Sequence, residues 1–496
     1  MTQPTPPTPF DIAPEVLTER FGGRRCEVTP GLRRALDAIC PTSTDAGDLA
    51  EHARDWWPIA IGWAAAGEVP ALPGLVVSPR NADEVAAVLA ACTSASVSVT
   101  PSAGRSGVCG GTIPLLGGVS LDLCGLNQIL EVDEESLLVT VEAGVFGPDL
   151  EAHLGSIGEG YTVGHFPQSF ALATVGGWLA CRGAGQYSTR YGKIEDMVVG
   201  LTVALADGRI ITTEGGAPRQ AVGPNLTQFF VGSEGTLGVI TSATLRIHPK
   251  PAAEARRAAS FATFGEGLEA IRRILRRGAT PAVVRLYDEI ESKRTFEVDA
   301  NVLIVLDEAD PLLLDATMAI VDEEIAQATA LEDRHVAHWL EHRNNVDQLA
   351  PLWRNHIVVD TIEIAGRWRD LDQSCTAVLE ALRGVPGTMV ASVHESHAYP
   401  DGACLYFTFV GRPEPIEGED LLAAEQRYYD AAWDAANAVL IERGCAISHH
   451  HGIGYNRSRF VAPSLGAAAG VLAELKATLD PAGIMNPGKL GFALPG

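Results

Sequence analysis

The sequence predicts an α+β protein with two main units, one over residues 71–250 and one over residues 251–445. With 496 residues, 46% of them hydrophobic, the chain is long enough to bury two substantial cores. Short strands with glycine-rich connections dominate before Pro249. After it, helices with charged faces, such as FGEGLEAIRRILRRG, alternate with strands such as NVLIVLD and ACLYFTFVG. This second pattern favours an antiparallel sheet packed against helices.

Residues 1–70 are expected to form a disordered leader and a helical segment. The leader MTQPTPPTPF is rich in Pro and Thr, and the helical segment ends in RDWWPIAIGWAAAG. In the first main unit, GLVVSP, VSVTP, GVSLDLCGL and LLVTVEAG are predicted strands. NADEVAAVLAAC is a predicted helix capped by Asn81, and Asp207 and Gly208 turn a hairpin.

The second main unit ends in a long predicted helix over Leu421–Arg443, which stops at Gly444. Residues 446–496 contain one more helix, which ends before Pro481, and a Gly- and Pro-rich tail. We expect this last segment to return to the site formed by the first unit.

Net charge, apolar content and cysteine content exclude several classes of function. A formal net charge of −25 opposes binding to nucleic acid or to anionic membranes. No apolar run is long enough to span a bilayer, and no positively charged signal segment opens the chain. The nine cysteines form no Cys-x-x-Cys pair, which is typical of reduced thiols. These features predict an acidic cytoplasmic enzyme.

Three glycine-rich blocks stand out between Pro101 and Ile240: PSAGRSGVCGG, GHFPQSFALATVGGWLACRGAGQYS and FVGSEGTLGVIT. The glycines of the first block leave backbone N–H groups exposed, and such groups can form an anion nest for a pyrophosphate. The block lacks the G-x-G-x-x-G spacing and the acidic residue of a Rossmann fingerprint. A dinucleotide would therefore be bound in another way.

In this order, the blocks resemble the FAD-binding module of the vanillyl-alcohol oxidase and p-cresol methylhydroxylase superfamily. The resemblance implies a two-subdomain FAD-binding domain of the vanillyl-alcohol oxidase type, followed by an α+β cap domain. Some members tether the flavin through a histidine in the first block. Arg105 or Ser106 takes that position here, so noncovalent FAD is expected. The candidate cofactor-binding residues are Pro101, Ser102, Ala103, Gly104, Arg105, Ser106, Gly107, Gly110, Pro167, Ser169, Thr174, Gly176, Gly177, Trp178, Arg182, Gly183, Gly185, Glu234, Gly235, Gly238 and Ile240.

The C-terminal half adds VVRLYDE, VASVHESHAYPDGACLYFTF and AISHHHGIG. With the glycine blocks, these resemble alkylglycerone-phosphate synthase, which exchanges the acyl group of acyl-dihydroxyacetone-phosphate for a fatty alcohol. The resemblance spans about Arg54 to Leu490 and implies a small or lipid-like substrate. A homodimer is a common outcome in this family. The resemblance makes Tyr406 the acid/base tyrosine, Arg285 a substrate-orienting arginine, and His449, His450 and His451 a cluster at the flavin.

Strand alternation in ACLYFTF places Tyr406 on the less apolar face of its strand. Imidazolium from the histidine cluster would lower the pKa of this tyrosine and make it a base. On an extended chain His449 and His451 share a face and His450 points the opposite way, unless the turn at Gly452 rotates them.

Two questions stay open in the sequence. His394, His397 and Arg343 are candidate substrate-binding residues, and Arg354 competes with Arg343 for the place of a second pocket arginine. The rival function is FAD-linked oxidation of a 2-hydroxy acid or another alcohol, because such flavoenzymes share DPAGIMNPGKL. Those relatives hold a metal through a GDGN segment and a glutamate before His-Gly, both replaced here. We expect no metal, although zinc on the histidine cluster is an alternative.

Overall fold

The computed structural model describes residues 17–23, 25–213, 219–346 and 349–495. The leader MTQPTPPTPF lies outside the described residues. The strands are β1 Thr18–Glu19, β2 Thr42–Ser43, β3 Glu68–Val69, β4 Leu75–Val77, β5 Val99–Ser102, β6 Val119–Asp122, β7 Ile129–Asp133, β8 Leu138–Glu142, β9 Tyr161–Thr162, β10 Val198–Ala204, β11 Ile210–Thr212, β12 Val239–Arg246, β13 His248–Pro249, β14 Ala253–Phe261, β15 Val283–Tyr287, β16 Asn301–Ala309, β17 Thr329–Leu331, β18 Val358–Arg367, β19 Thr388–Tyr399 and β20 Gly402–Gly411. The α-helices are α1 Pro30–Asp37, α2 Ala46–Glu51, α3 Pro58–Ala65, α4 Ala82–Ala95, α5 Gly147–Gly155, α6 Val175–Cys181, α7 Ser188–Tyr191, α8 Ile194–Met197, α9 Leu226–Phe230, α10 Phe264–Arg276, α11 Glu289–Phe296, α12 Pro311–Glu324, α13 Arg334–His342, α14 Ala350–Arg354, α15 Trp368–Gly384, α16 Leu421–Glu442, α17 Ser458–Leu465 and α18 Ala468–Leu479.

Besides the short two-stranded sheet β13-β9, the first unit contains two larger sheets. One has the order β2-β4-β6-β5, in which β4, β6 and β5 run parallel. Helix α4 buries Val85 and Leu89 in the core of this sheet. The Asn81 side chain accepts a hydrogen bond of 2.9 Å from the backbone N–H of Glu84, which confirms the predicted cap.

The second sheet of this unit is antiparallel, with the order β11-β10-β12-β8-β7. Strands β10 and β11 form the predicted hairpin. Gly208 lies in its turn with φ of +86°, a conformation that glycine adopts without steric cost.

The cap unit is built on a seven-stranded antiparallel sheet with the order β17-β14-β16-β15-β19-β20-β18. Residues of α10, α12, α15 and α16 form one hydrophobic core with the sheet. The predicted long helix is α16. Gly444 follows its end with φ of +67°, as the sequence indicates. The predicted α+β class with an antiparallel cap sheet is confirmed.

Segments from both ends of the chain cross between the units. Trp57, Ile59 and Trp63, around α3, belong to the core of the cap, a packing that the sequence pattern does not predict. Near the other end, Met485 forms a bridge with Val99 of β5, and Asn486 N donates to Val99 O at 2.8 Å. The first crossing packs the N-terminal segment into the cap, and the second attaches the C-terminal segment to the first unit.

All nine cysteines are free thiols. Within the ranges described, no helix has the length and apolar character needed to cross a membrane.

Candidate active site

A cavity of about 640 Å³ lies between the first unit and the cap sheet. This is a usual size for a small-molecule or cofactor site. Segments 101–112, 167–186 and 233–240 line one wall, and side chains of β15, β18, β19, β20, α11 and α13 line the other.

Glycine is needed at positions of the first wall for two different reasons. A Cβ on Gly104 would lie 2.0 Å from the carbonyl oxygen of Leu172, so the protein's own backbone excludes a side chain there. At Gly107 the nearest atom would be Asp55 Oδ2 at 3.7 Å, and at Gly177 it would be Thr174 Oγ1 at 3.4 Å. Gly107 and Gly177 therefore leave bare backbone beside open space, where a ligand can approach closely.

Two hydroxyl groups in the same wall support a polar ligand. Ser102 Oγ and Thr112 Oγ1 are buried, and neither has a hydrogen-bond partner among the described residues. Both residues line the cavity. Because buried polar atoms are usually hydrogen-bonded, these hydroxyls and the bare backbone fit a dinucleotide cofactor.

Most of the predicted cofactor residues line the cavity. They are Pro101, Ser102, Ala103, Gly104, Arg105, Ser106, Gly107, Pro167, Ser169, Thr174, Gly176, Gly177, Trp178, Gly183, Glu234, Gly235, Gly238 and Ile240. Three others are not part of this lining. Gly110 has φ of +72° and lies against Trp57, and Gly185 lies against the backbone of Phe166. Arg182 ends α6 and points towards Glu195, with Nε 3.6 Å from the carboxylate.

Glu234 connects this wall to the C-terminal segment. Its carboxylate accepts hydrogen bonds from the backbone N–H groups of Ile453 at 2.5 Å and Gly454 at 2.7 Å. Burial raises the pKa of Glu234 to about 7. The residue thus orders the turn that follows the three histidines, and not only the turn in which it lies.

A second carboxylate, Glu363 on β18, shapes the histidine segment itself. Its oxygens accept hydrogen bonds from the backbone N–H groups of His449 at 3.1 Å, His450 at 3.3 Å and His451 at 2.6 Å. Arg457 Nη1 donates to the same carboxylate at 2.8 Å. The chain bends around Glu363, so the alternation expected of an extended chain is wrong: His450 and His451 line the cavity, and His449 does not.

Glu363 was missed by the sequence analysis, although VVDTIEIAG carries a signal. It places an acidic residue between two isoleucines of a strand that is otherwise largely apolar. Burial opposes ionisation, but Arg457 holds the pKa of Glu363 well below its usual range. The sequence does not show this partner, because the two residues are 94 positions apart.

Tyr406 lies on the cavity side of β20, and Leu405 and Phe407 are buried in the cap core, as alternation predicts. The Tyr406 hydroxyl accepts a hydrogen bond of 3.0 Å from Thr361 Oγ1. The ring of His451 is 5.5 Å away, edge to face.

The burial of the histidines opposes the expected activation of Tyr406 by imidazolium. Burial lowers the pKa of His449 to about 3 and that of His451 to about 4, and it also holds the pKa of His450 well below the usual range. Neutral rings provide no positive charge, and burial raises the pKa of Tyr406 above its usual range. At neutral pH Tyr406 therefore carries its proton, so its hydroxyl can donate a hydrogen bond or a proton in the cavity.

His397 lies beside the histidine turn and also lines the cavity. Its ring stacks on His449 at 5.1 Å, and Ser188 Oγ lies 2.9 Å from His397 Nδ1. Nitrogen atoms of His397, His449 and His450 lie within 4.8 Å of one another, a spacing that a metal ion could bridge. That no metal binds stays a prediction.

Two arginines flank one aromatic ring at the cap end of the cavity. The guanidinium carbons of Arg285 and Arg343 lie 5.5 and 5.6 Å from the centroid of Trp339. Arg343 also donates to Gln186 Oε1 at 3.0 Å. Both arginines line the cavity, whereas Arg354 is not part of its lining. Paired guanidinium groups suit an anionic substrate.

The fold and the cavity define a flavin-dependent class of enzyme, and comparisons with known proteins agree. Residues 73–214 match the family described as FAD binding domain, and residues 250–490 match FAD linked oxidases, C-terminal domain. The uncharacterized FAD-linked oxidoreductase YgcU of Escherichia coli O157:H7 is 31% identical over 439 residues, 84% of this chain and 89% of that protein.

Alkyldihydroxyacetonephosphate synthase of Dictyostelium discoideum is 27% identical, over 86% of this chain and 74% of its own length. The solved structure of p-cresol methylhydroxylase with substrate bound superposes with a TM-score of 0.73 at 18% identity, covering 94% of this chain and 98% of that one. This similarity confirms the predicted superfamily fold.

The chain belongs to the FAD-linked oxidoreductase family, and it is an enzyme with FAD as its cofactor.

Proposed function

We propose that the enzyme catalyses an exchange of the alkylglycerone-phosphate synthase type, in which a fatty alcohol replaces the acyl group of acyl-dihydroxyacetone-phosphate. The observation that carries the proposal is one cavity lined by Tyr406, His450, His451 and two arginines, in which burial favours the protonated phenol and neutral rings. The name of the Dictyostelium discoideum relative supports it.

Each part of the cavity has a role in this reaction. The bare backbone of Gly107 and Gly177 would hold FAD without a covalent tether, and the cofactor would supply the ring system at which the exchange takes place. Arg285 and Arg343 bind the substrate phosphate. Tyr406 donates a proton to the departing acyl carboxylate, and it regains the proton that the incoming alcohol releases, relayed by the neutral histidine rings.

Oxidation of a 2-hydroxy acid or another alcohol is the second candidate. Neutral imidazoles beside the flavin can accept a hydroxyl proton while a hydride passes to the cofactor, and paired arginines bind a carboxylate as well as a phosphate. The Escherichia coli relative, named as an FAD-linked oxidoreductase, favours this reaction.

Anaerobic flavin spectroscopy separates the two candidates. We expect acyl-dihydroxyacetone-phosphate to bleach the flavin absorbance and to release fatty acid, and a fatty alcohol to restore the oxidised spectrum. Bleaching by a 2-hydroxy acid alone, reversed by air or by an electron acceptor, would replace the exchange by an oxidation. Release of all flavin by acid precipitation checks its noncovalent attachment.

A further inference from the structure

A buried carboxylate–imidazole pair lies on the cap wall of the cavity, apart from the histidine turn. Glu291, in the first turn of α11, is 1% exposed, and its Oε2 lies 2.8 Å from His394 Nδ1. The other oxygen accepts hydrogen bonds from Ser392 Oγ at 3.0 Å and Thr408 Oγ1 at 3.2 Å. The sequence analysis did not identify Glu291.

Two aromatic rings fix the plane of the imidazole. His394 stacks on Tyr287 at 5.1 Å with an interplanar angle of 25°, and on Tyr406 at 4.8 Å with an angle of 22°. The ring therefore lies directly beside the tyrosine proposed as the acid. His394 lines the cavity, and no residue in the described ranges hydrogen-bonds to its Nε2.

The charges around the pair favour a neutral imidazole bonded to a carboxylate. Burial would raise the pKa of Glu291, but the His394 ring and Arg294 lower it to about 2. Burial lowers the pKa of His394, with smaller contributions from Arg285 and Arg294, and Glu291 opposes this shift. An ionised carboxylate on Nδ1 selects the tautomer with its proton there, which leaves the lone pair of Nε2 free to accept a proton.

We propose that His394 is the general base for an alcohol hydroxyl in this cavity, and that Glu291 is the positioning residue that fixes its tautomer. The proposal rests on the proposed function only in requiring an alcohol as a reactant. Both candidate reactions have one, namely the incoming fatty alcohol in the exchange and the substrate itself in the oxidation.

In both reactions the alcohol proton moves to His394 and the oxygen keeps the electron pair. The O–H bond of the alcohol breaks, and its proton forms a bond to Nε2. In the exchange, the freed electron pair of the oxygen forms the new C–O bond at the carbon that the acyl carboxylate leaves, and the proton ends on the released acid. In the oxidation, this pair would complete a carbonyl group, bound oxidised flavin would take the carbon-bound hydrogen as hydride, and the proton would pass to water.

Two variants test the pair in the holoenzyme. His394→Asn keeps an amide donor for Glu291 but removes Nε2, so turnover should fall by about 10²–10⁴-fold with unchanged flavin content. Glu291→Gln removes the charge that raises the pKa of His394. The acidic limb of the kcat/KM profile should therefore move to lower pH. A purely structural role of Glu291 would lower the rate without moving this limb.

The matched control is a second His–Glu pair outside the cavity. His356 Nδ1 lies 2.9 Å from Glu425 Oε1, and the His356 side chain is 58% exposed. His356→Asn should leave the rate and the pH profile as in the wild type. Full activity of flavin-replete His394→Asn would overturn the proposal.

Nitrogen NMR of the ¹⁵N-histidine-labelled holoenzyme provides a readout without turnover. His394, assigned by its loss in His394→Asn, should show a protonated Nδ1 and an unprotonated Nε2 at pH 7. A charged ring or a proton on Nε2 would contradict the proposal. If neither the ketone phosphate nor a hydroxy acid reacts with the wild type, the proposed function fails, and these signals still decide the state of His394.

Discussion

The two walls of the cavity are built in opposite ways. The wall from the first unit is mainly backbone, with Gly107 and Gly177 open to the cavity. The wall from the cap carries reactive side chains, such as Arg285 on β15 and Tyr406 on β20. The first wall offers bare backbone to a cofactor, and the second carries the histidines, the tyrosine and the paired arginines.

This difference indicates how each wall should respond to substitution. Substitutions that add volume should impair the wall from the first unit most, because a cofactor must approach the backbone of this wall closely. The cap wall depends on buried carboxylates, Glu291 and Glu363, that hold histidines through hydrogen bonds. Small chemical changes that keep volume should therefore matter most there.

The largest effect, on FAD content and folding, is expected at the wall from the first unit. Gly107→Leu should fold but retain almost no FAD, because its side chain enters open space that the cofactor needs. Gly104→Ala should fail to fold, since its Cβ would lie 2.0 Å from the Leu172 carbonyl oxygen. The flavin-to-protein ratio and far-UV circular dichroism check both. Gly470→Ala, with no atom within 4 Å of its Cβ, is the control. Normal flavin content in Gly107→Leu would place the cofactor elsewhere.

Tyr406→Phe tests whether the cap wall contributes to turnover without contributing to FAD binding. We expect turnover to fall by about 10²–10⁴-fold, the usual contribution of a positioned acid or base, while FAD stays bound. The hydroxyl is lost but the ring remains stacked on His394. Steady-state rates and flavin absorbance measure the two effects. An active, flavin-replete variant would remove Tyr406 from the acid role.

Glu363→Gln should destabilise the protein by about 3–5 kcal/mol, the typical result of breaking a buried ion pair, because Arg457 stays buried without its counter-charge. Denaturant unfolding measures this loss. The folded-state pKa of Glu363 is depressed. The stabilisation is therefore fully present above its unfolded pKa of about 4.3 and lost only as pH falls below that value. A stability difference unchanged down to the folded-state pKa would contradict this origin.

The smallest effect, on KM, is expected for the arginines at the cap end of the cavity. Arg343→Lys keeps the charge but loses the planar fork, so KM for an anionic substrate should rise about tenfold, which corresponds to about 1.4 kcal/mol. The value of kcat should change little. Arg354→Lys, outside the cavity lining, is the matched control. Equal KM values for both variants would argue against an anion site at Arg343.

Several features of the site followed from local patterns. The alternation in ACLYFTF predicts Tyr406 on the cavity side, and Gly107 of the first glycine block also lines the cavity. Both patterns span only a few residues. Strand geometry alone sets the side on which Tyr406 lies, and the missing side chain alone leaves the backbone of Gly107 bare. The same local reasoning failed for the three histidines, because it assumed an extended chain that Glu363 bends.

The α+β class, the antiparallel cap sheet, FAD as the cofactor and the placement of Tyr406 on the cavity side of its strand could all be predicted from the sequence. Packing in three dimensions is needed to see which histidines reach the cavity, that Arg343 joins Arg285 there, and which carboxylates hold the histidines. Glu363 and Arg457 are 94 positions apart, and Glu291 and His394 are 103 apart. Such pairs depend on strand register and on how the units pack, and these also set the burial that keeps the histidines neutral and Tyr406 protonated.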